Sequence, residues 1–218
     1  MKNDKPAVLF DLDGVIIDTE SQYTRFWDKV SAKFYPDIRH FGLEIKGKTL
    51  IEIYETYFPD PAVQAQLSEA LDYFEKHMAY EYISGAFDFL TAIRRQGMKI
   101  ALVTSSNDAK LNILYERHPE LKAMFDAEVT AEKVTRSKPD PECFRLGAEL
   151  LQADPADCFV FEDSLAGLTA ARASGATVIG LATTYPAKMI EELCDHIIPD
   201  FTGFTPEAML NVFPRLAL

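Results

Sequence analysis

Two aspartates, Asp11 and Asp13, directly follow a short apolar segment at residues 8–10. An apolar run of this length that is closed by a glycine, here Gly14, is typical of a buried strand. Open α/β sheets bind their ligands at the carboxyl ends of strands, so the strand would deliver both carboxylates to such a site. Because a buried carboxylate needs a partner, the pair indicates a metal site, a nucleophile or a general acid/base pair.

A second acidic pair, Glu162 and Asp163, follows another apolar segment at residues 158–161. If both segments are parallel strands of one sheet, the two acidic pairs face each other across the same crevice. Four clustered like charges need compensation, and hard oxygen ligands of this kind suit Mg²⁺, which also binds substrate phosphate. The sequence therefore predicts a Mg²⁺ site formed by Asp11, Asp13, Glu162 and Asp163.

Two further segments could bind a phosphate group. Residues 104–107, which are Thr104, Ser105, Ser106 and Asn107, follow an apolar strand and precede a helix. Hydroxyls and backbone N–H groups at a helix N-terminus form a phosphate cradle, although the same residue types also serve as plain N-caps. Lys138 is followed by a proline that favours extended backbone, and alone it could equally be a solvated loop residue.

The elements that must position these residues alternate along most of the chain. Strand-like segments alternating with helical ones predict a parallel α/β sheet with helices on both faces, a Rossmann-like architecture. The predicted strands span residues 7–10, 99–104, 127–130, 158–162, 177–181 and 196–198, and the predicted helices span residues 86–96, 108–117, 141–151, 165–174 and 186–193.

The first strand is followed by a long segment without a convincing strand. Residues 20–34, 50–57 and 62–82 are amphipathic at helical spacing, which predicts an all-helical insertion. An irregular extra layer on the core is the alternative. We therefore predict a core of residues 1–15 and 85–218 and a helical cap of residues 16–84, placed where a lid could exclude water and select the substrate.

The composition limits the class of protein. With 218 residues, 48% of them hydrophobic, the chain can form a substantial folded core. A net charge of −12 argues against nucleic acid or an anionic membrane as the main partner. The three cysteines are widely spaced and predict free thiols, and no apolar segment resembles a signal peptide or a membrane span. We expect a cytoplasmic monomer.

The candidate residues, taken together, resemble the four motifs of the haloacid dehalogenase superfamily of phosphotransferases. The resemblance covers essentially the whole chain, and the helical insertion is similar to that of the small-cap branch, which includes sugar-phosphate phosphatases and β-phosphoglucomutase. The matching segments, in chain order, are Asp11-x-Asp13-Gly14-Val15, Val103-Thr104-Ser105-Ser106, Ser137-Lys138-Pro139 and Glu162-Asp163-Ser164-x-x-Gly167.

The resemblance implies a role for each motif residue. Asp11 would be the nucleophile that forms an aspartyl-phosphate, and Asp13 the acid/base that family members acting on carbon–halogen bonds lack. Mg²⁺ would be held by Asp11, the Asp13 carbonyl and Asp163, with Glu162 beside or behind it. The phosphoryl oxygens would be bound by Thr104, the Ser105 N–H and Lys138.

The insertion departs from the mutase-like members of this branch. Lys46 and Gly47 match their cap motif, but Leu50 stands where they carry an arginine for a second phosphate, and Tyr23 stands where they carry a histidine. Lys46, Lys48 and Tyr23 remain candidate substrate contacts, and a solvated lysine pair is the alternative for the first two. Ser105, Ser106 and Asn107 are the corresponding candidates in the core.

These residues favour a Mg²⁺-dependent phosphatase that hydrolyses a small phosphorylated metabolite, with a sugar phosphate as the favoured substrate. A β-phosphoglucomutase-like phosphomutase and an inorganic pyrophosphatase are the alternatives. A receiver-like regulatory domain also uses an aspartyl-phosphate, a Thr/Ser and a lysine, but it lacks the Asp-x-Asp pattern and a cap.

Overall fold

Six parallel strands form a sheet in the computed structural model, which describes residues 5–45 and 50–212. In chain order the strands are β1 (Ala7–Phe10), β2 (Ile100–Val103), β3 (Ala127–Val129), β4 (Cys158–Glu162), β5 (Thr177–Leu181) and β6 (His196–Ile198). Their spatial order is β3-β2-β1-β4-β5-β6, and every neighbouring pair is parallel. The predicted α/β fold is confirmed.

Helices connect these strands, and the first four of the described helices lie within residues 19–80. Those four are α1 (Glu20–Phe34), α2 (Phe41–Glu44), α3 (Leu50–Tyr57) and α4 (Pro61–His77). The later helices are α5 (Ala86–Arg95), α6 (Asp108–Arg117), α7 (Pro119–Lys122), α8 (Glu142–Leu150), α9 (Leu165–Ser174), α10 (Ala187–Ile190) and α11 (Pro206–Leu210).

Two helix predictions were wrong in length. The helix predicted for residues 62–82 ends at His77, because Met78 is extended and the Gln22 side chain then binds both backbone polar groups of Ala79, at 2.5 and 2.9 Å. The helix predicted for residues 186–193 is α10 followed by a 3₁₀ turn at Glu191–Leu193. The short helices α2, α7 and α11 were not predicted.

The strands β1 and β4 form the centre of the core. All of their residues are buried, and the paired residues Phe10 and Phe161 stack with their ring centroids 4.7 Å apart. On the opposite face of the sheet, Leu9 and Val160 belong to an apolar cluster that also contains residues of α8 and α9. Each fully buried side chain of this size contributes about 1.5–3 kcal/mol, so the two strand ends that carry the acidic pairs are firmly anchored.

The chain divides into two compact units, a core unit up to Asp18 and from Glu81 onward, and a helical unit of Thr19–Tyr80. The helical unit has its own apolar cluster, which includes Trp27 and Phe41. Where the chain leaves and re-enters the core unit, the Asp18 N–H donates to the Glu81 carbonyl at 2.8 Å. The domain limits predicted at residues 15/16 and 84/85 stay a proposal.

Two expectations drawn from composition concern the thiols and the absence of membrane spans. Cys143, Cys158 and Cys194 are free thiols, as predicted. Within residues 5–45 and 50–212, none of the helices combines the length and the apolar character that a membrane span requires.

Replacing residues 19–80 with a Gly-Ser linker tests whether the core unit is an independent folding unit. Because Asp18 and Glu81 are already joined by a backbone hydrogen bond, a short linker can close the gap, and we expect cooperative thermal unfolding to persist. The control removes residues 16–84 and with them the buried Ile16, Ile17 and Ile83, which should cost several kcal/mol at about 1.5–3 kcal/mol each. Circular dichroism melts measure both, and a noncooperative melt of the first variant would contradict the division.

Candidate active site

The site begins where β1 and β4 end side by side. Phe10 pairs with Phe161, so the next residues along the two strands, Asp11 and Glu162, lie next to each other. Lys138, from the segment before α8, lies between them, with its Nζ 2.6 Å from Asp11 Oδ1 and 2.7 Å from Glu162 Oε1. The structure thus brings together residues from three separate motifs in one buried ion cluster.

Glu162 is held by hydrogen bonds at both carboxylate oxygens. Its Oε1 accepts from Lys138, and its Oε2 accepts from the backbone N–H groups of Asp163 and Ser164, each at 2.8 Å, and from the Ser164 hydroxyl at 3.0 Å. Only 1% of the residue is exposed. This side chain therefore fixes both the lysine and the turn from β4 into α9.

Burial strongly affects the charges of the cluster. The pKa of Asp11 is raised to about 7, because burial, together with the charges of Glu162 and Asp13, raises it more than Lys138 lowers it. Burial lowers the pKa of Lys138, but Asp11 and Glu162 raise it more, so the net pKa lies above its ordinary value. The lysine is therefore a permanent cation, whereas the ionised form of Asp11 needs positive charge nearby.

The donor atoms of this cluster suit a divalent cation. Carboxylate oxygens of Asp11, Glu162 and Asp163, all three buried, lie within 4.8 Å of one another. At Gly14, where φ is +76°, a Cβ would lie 2.1 Å from Asp163 Oδ2, so a glycine there leaves room for the Asp163 carboxylate. Hard oxygen donors and the excess of carboxylates over the single lysine Lys138 match what Mg²⁺ requires.

The segment after β2 makes a compact loop before α6. Thr104 is buried, and its Oγ1 accepts from the Ser106 N–H at 3.0 Å. Ser105, between them, is exposed. Asn107 is the N-cap of α6, because its Oδ1 accepts from the Lys110 N–H at 2.8 Å. The N-cap interpretation therefore holds for Asn107, while Thr104 shapes the loop.

Asp13 is bound at both carboxyl oxygens by residues of this loop and helix. The Ser106 hydroxyl donates to Oδ2 and Lys110 Nζ donates to Oδ1, each at 2.7 Å. Sequence reasoning missed Lys110. The signal that could have found it is its place in the first turn of α6, from which a long side chain extends toward the N-terminal end of its helix.

The candidate residues of the insertion lie in the helical unit or outside the described residues. The Tyr23 hydroxyl donates to Glu75 Oε1 at 2.8 Å, and both side chains line a cavity of about 300 Å³ together with Trp27 and Leu50. Sequence reasoning did not predict Glu75. Lys46 and Lys48 fall outside the residues that the structure describes.

The fold and the site define a class of protein: a parallel α/β core with buried acidic residues at its strand ends. Residues 8–181 match the family model described as haloacid dehalogenase-like hydrolase. The chain therefore belongs to this family, and the resemblance of its motifs is confirmed.

Individual relatives are similar over most of the chain. A bifunctional riboflavin kinase/FMN phosphatase of Arabidopsis thaliana is 29% identical over 91% of this chain, which spans only 54% of that protein. The β-phosphoglucomutase of Bacillus subtilis is 28% identical, with 83% of this chain and 84% of that protein covered. A family IA hydrolase structure from Entamoeba histolytica shares the fold, with a TM-score of 0.81, 20% identity and coverage of 95% and 99% of the two chains.

Gly167→Ala tests how much the site depends on the position of Glu162. A Cβ at Gly167 would lie 1.7 Å from Glu162 Oε1, so the carboxylate must move away from Lys138. Hydrogen bonds to charged groups contribute about 1.5–3 kcal/mol each, so we expect a clear loss of stability in urea unfolding and a loss of hydrolytic activity.

The matched control is Gly147→Ala, another helical glycine in the core. The atoms nearest to its Cβ would belong to the apolar Leu9 and Val103 side chains, at 2.8 and 2.9 Å, so activity should persist. Equal activity losses in the two variants would show that close packing in general, and not the Glu162 carboxylate, is responsible.

Proposed function

We propose that this protein is a Mg²⁺-dependent phosphatase that hydrolyses a small phosphorylated metabolite, with a sugar phosphate favoured, through an aspartyl-phosphate on Asp11. The observation that carries the proposal is the ion cluster at the end of β1, where Lys138 Nζ lies 2.6 Å from a buried Asp11 carboxylate oxygen. The adjoining loop of Thr104 to Ser106 contacts Asp13, so a phosphate-binding segment and a second carboxyl group adjoin the nucleophile.

In the first step an Asp11 carboxylate oxygen attacks phosphorus and forms an acyl phosphate while the ester P–O bond breaks. The Asp13 carboxyl group gives its proton to the departing alcohol oxygen. Thr104, the Ser105 N–H and Lys138 bind the phosphoryl oxygens, where positioning and charge neutralisation contribute most of the catalysis.

In the second step the Asp13 carboxylate takes a proton from water, whose oxygen attacks phosphorus. The bond between phosphorus and the Asp11 oxygen breaks, and inorganic phosphate and the free Asp11 carboxylate are released. Asp13 regains its proton in this step, which restores the acid for the next cycle.

Asp11, Asp163 and the Asp13 carbonyl would hold the cation, with Glu162 orienting Lys138 behind them. When bound, Mg²⁺ supplies positive charge that favours the ionised Asp11 and offsets the charge of the phosphoryl group. The raised pKa of Asp11, which reflects its burial, supports this need for a further cation.

The helical unit supports hydrolysis over phosphoryl transfer to a second sugar phosphate. Leu50, at the position of the arginine in mutase-like relatives, lines the cavity of the helical unit, and Tyr23, at the position of their histidine, is bonded to Glu75. An apolar Leu50 cannot bind a second phosphate. The similarity to a β-phosphoglucomutase nevertheless keeps the mutase as the second candidate.

Asp11→Asn removes the nucleophile with almost no change in shape. We expect wild-type protein with Mg²⁺ to release phosphate repeatedly from at least one ester in a panel of sugar phosphates, nucleotides and pyrophosphate, and the variant to release none. The proposal would be contradicted if the wild type released no more phosphate than the variant from every compound of the panel.

Repeating the screen with glucose 1,6-bisphosphate separates the two candidate functions. A phosphatase continues to release phosphate, whereas a mutase interconverts phosphosugars without net release. Preferential release from pyrophosphate would instead indicate a pyrophosphatase.

Asp163→Asn tests the cation site. A cation that binds only the folded protein at 100 times its Kd stabilises it by about 2.7 kcal/mol, so Mg²⁺ should raise the melting temperature of the wild type by several degrees. The variant should lose this shift, whereas Asp72→Asn, which removes the same charge from an exposed position of α4, should keep it. Equal shifts in both variants would contradict a site at Asp163.

A further inference from the structure

Two donors from one short segment bind the Asp13 carboxyl group. Ser106 lies in the loop after β2, and Lys110 lies in the first turn of α6, so both are positioned by the same strand-to-helix connection. One donor contacts Oδ2 and the other contacts Oδ1, each at 2.7 Å. An aspartate side chain has only two torsion angles, χ1 and χ2. Hydrogen bonds to both carboxyl oxygens of Asp13 therefore fix both angles.

Lys110 is well anchored for this contact. Its backbone N–H donates to the Asn107 cap at 2.8 Å, which fixes the start of α6 from which the side chain extends. The exposed fractions of the two partner side chains are 13% for Lys110 and 22% for Asp13, so their ion pair is largely shielded from solvent. Partly buried pairs of this kind are screened less than surface pairs.

We infer that Lys110 is a positioning residue that, together with Ser106, fixes the orientation of the Asp13 carboxyl group for proton transfer to the leaving oxygen. The inference rests on the proposed phosphatase function, in which Asp13 is the acid/base. Lys110 stands outside the four motifs by which the sequence resembles the family. A misplacement of about 1 Å in a reacting group can cost a rate factor of about 100, which is why a second donor matters.

Loss of the Lys110 contact should affect alkyl and aryl phosphates unequally. An alkyl phosphate such as glucose 6-phosphate or glycerol 3-phosphate has a poor leaving group that needs the proton from Asp13, whereas p-nitrophenolate departs readily without one. The quantity to compare is kcat/KM, because it covers the steps up to departure of the leaving group and not the later attack of water.

For Lys110→Met we expect kcat/KM on alkyl phosphates to fall about 10- to 100-fold, and kcat/KM on p-nitrophenyl phosphate to change much less. Lys110→Arg keeps a cationic donor and should restore most of the alkyl phosphate activity. Lys122→Met, which removes the same charge from an exposed position on α7, is the matched control and should behave as wild type. Thermal melts of all three variants establish that they are folded.

If Lys110→Met lowered kcat/KM equally on alkyl phosphates and on p-nitrophenyl phosphate, or lowered it on neither, the role of Lys110 would be overturned. A Lys110→Arg variant no better than Lys110→Met on alkyl phosphates would overturn it as well. These results leave the proposed phosphatase standing, because the wild type still turns over. Absence of phosphate release by wild-type protein from every ester would overturn the proposed function together with this inference.

Discussion

The buried ion cluster of Lys138 with Asp11 and Glu162 is the interaction on which the rest of the site depends. Removing one partner of a buried pair leaves an uncompensated charge and costs about 3–5 kcal/mol, so the three residues can be kept only as a set. The Lys138 side chain is 7% exposed and contacts both carboxylates at 2.6 and 2.7 Å. Lys138 can contact both carboxylates only when the ends of β1 and β4 lie side by side and the segment before α8 lies next to them.

The space that the acidic side chains need explains why glycines lie next to them. Glu162 occupies space that a Cβ at Gly167 would fill, and Asp163 occupies space that a Cβ at Gly14 would fill. The glycines of the two acidic motifs are therefore needed by the carboxylates, since any larger residue displaces one of them. The stacked Phe10 and Phe161 then anchor the strand ends from within the core.

The site residues that directly follow a strand could be predicted from the sequence. The contacts that long side chains make with residues far away in the sequence could not. Asp11 and Glu162 were predictable because each follows an apolar segment, and parallel strands bring their carboxyl ends together. The ion pair of Lys110 with Asp13 joins residues 97 apart in sequence through the direction of one helix turn. The end of α4 depends on Gln22, which is 57 residues away from Ala79 and carries no local signal.

Each of the two compact units contains one of the two clusters described above. The helical unit is stabilised by its own cluster around Trp27 and Phe41, and the ion cluster lies entirely within the core unit. A substitution at Tyr23, Leu50 or Glu75 therefore changes the cavity of the helical unit without removing a partner of Lys138. Because Asp11 and Glu162, the partners of Lys138, both lie in the core unit, the residues that line the cavity can vary at little cost to the ion cluster. The lining of the cavity and the ion cluster can then change independently.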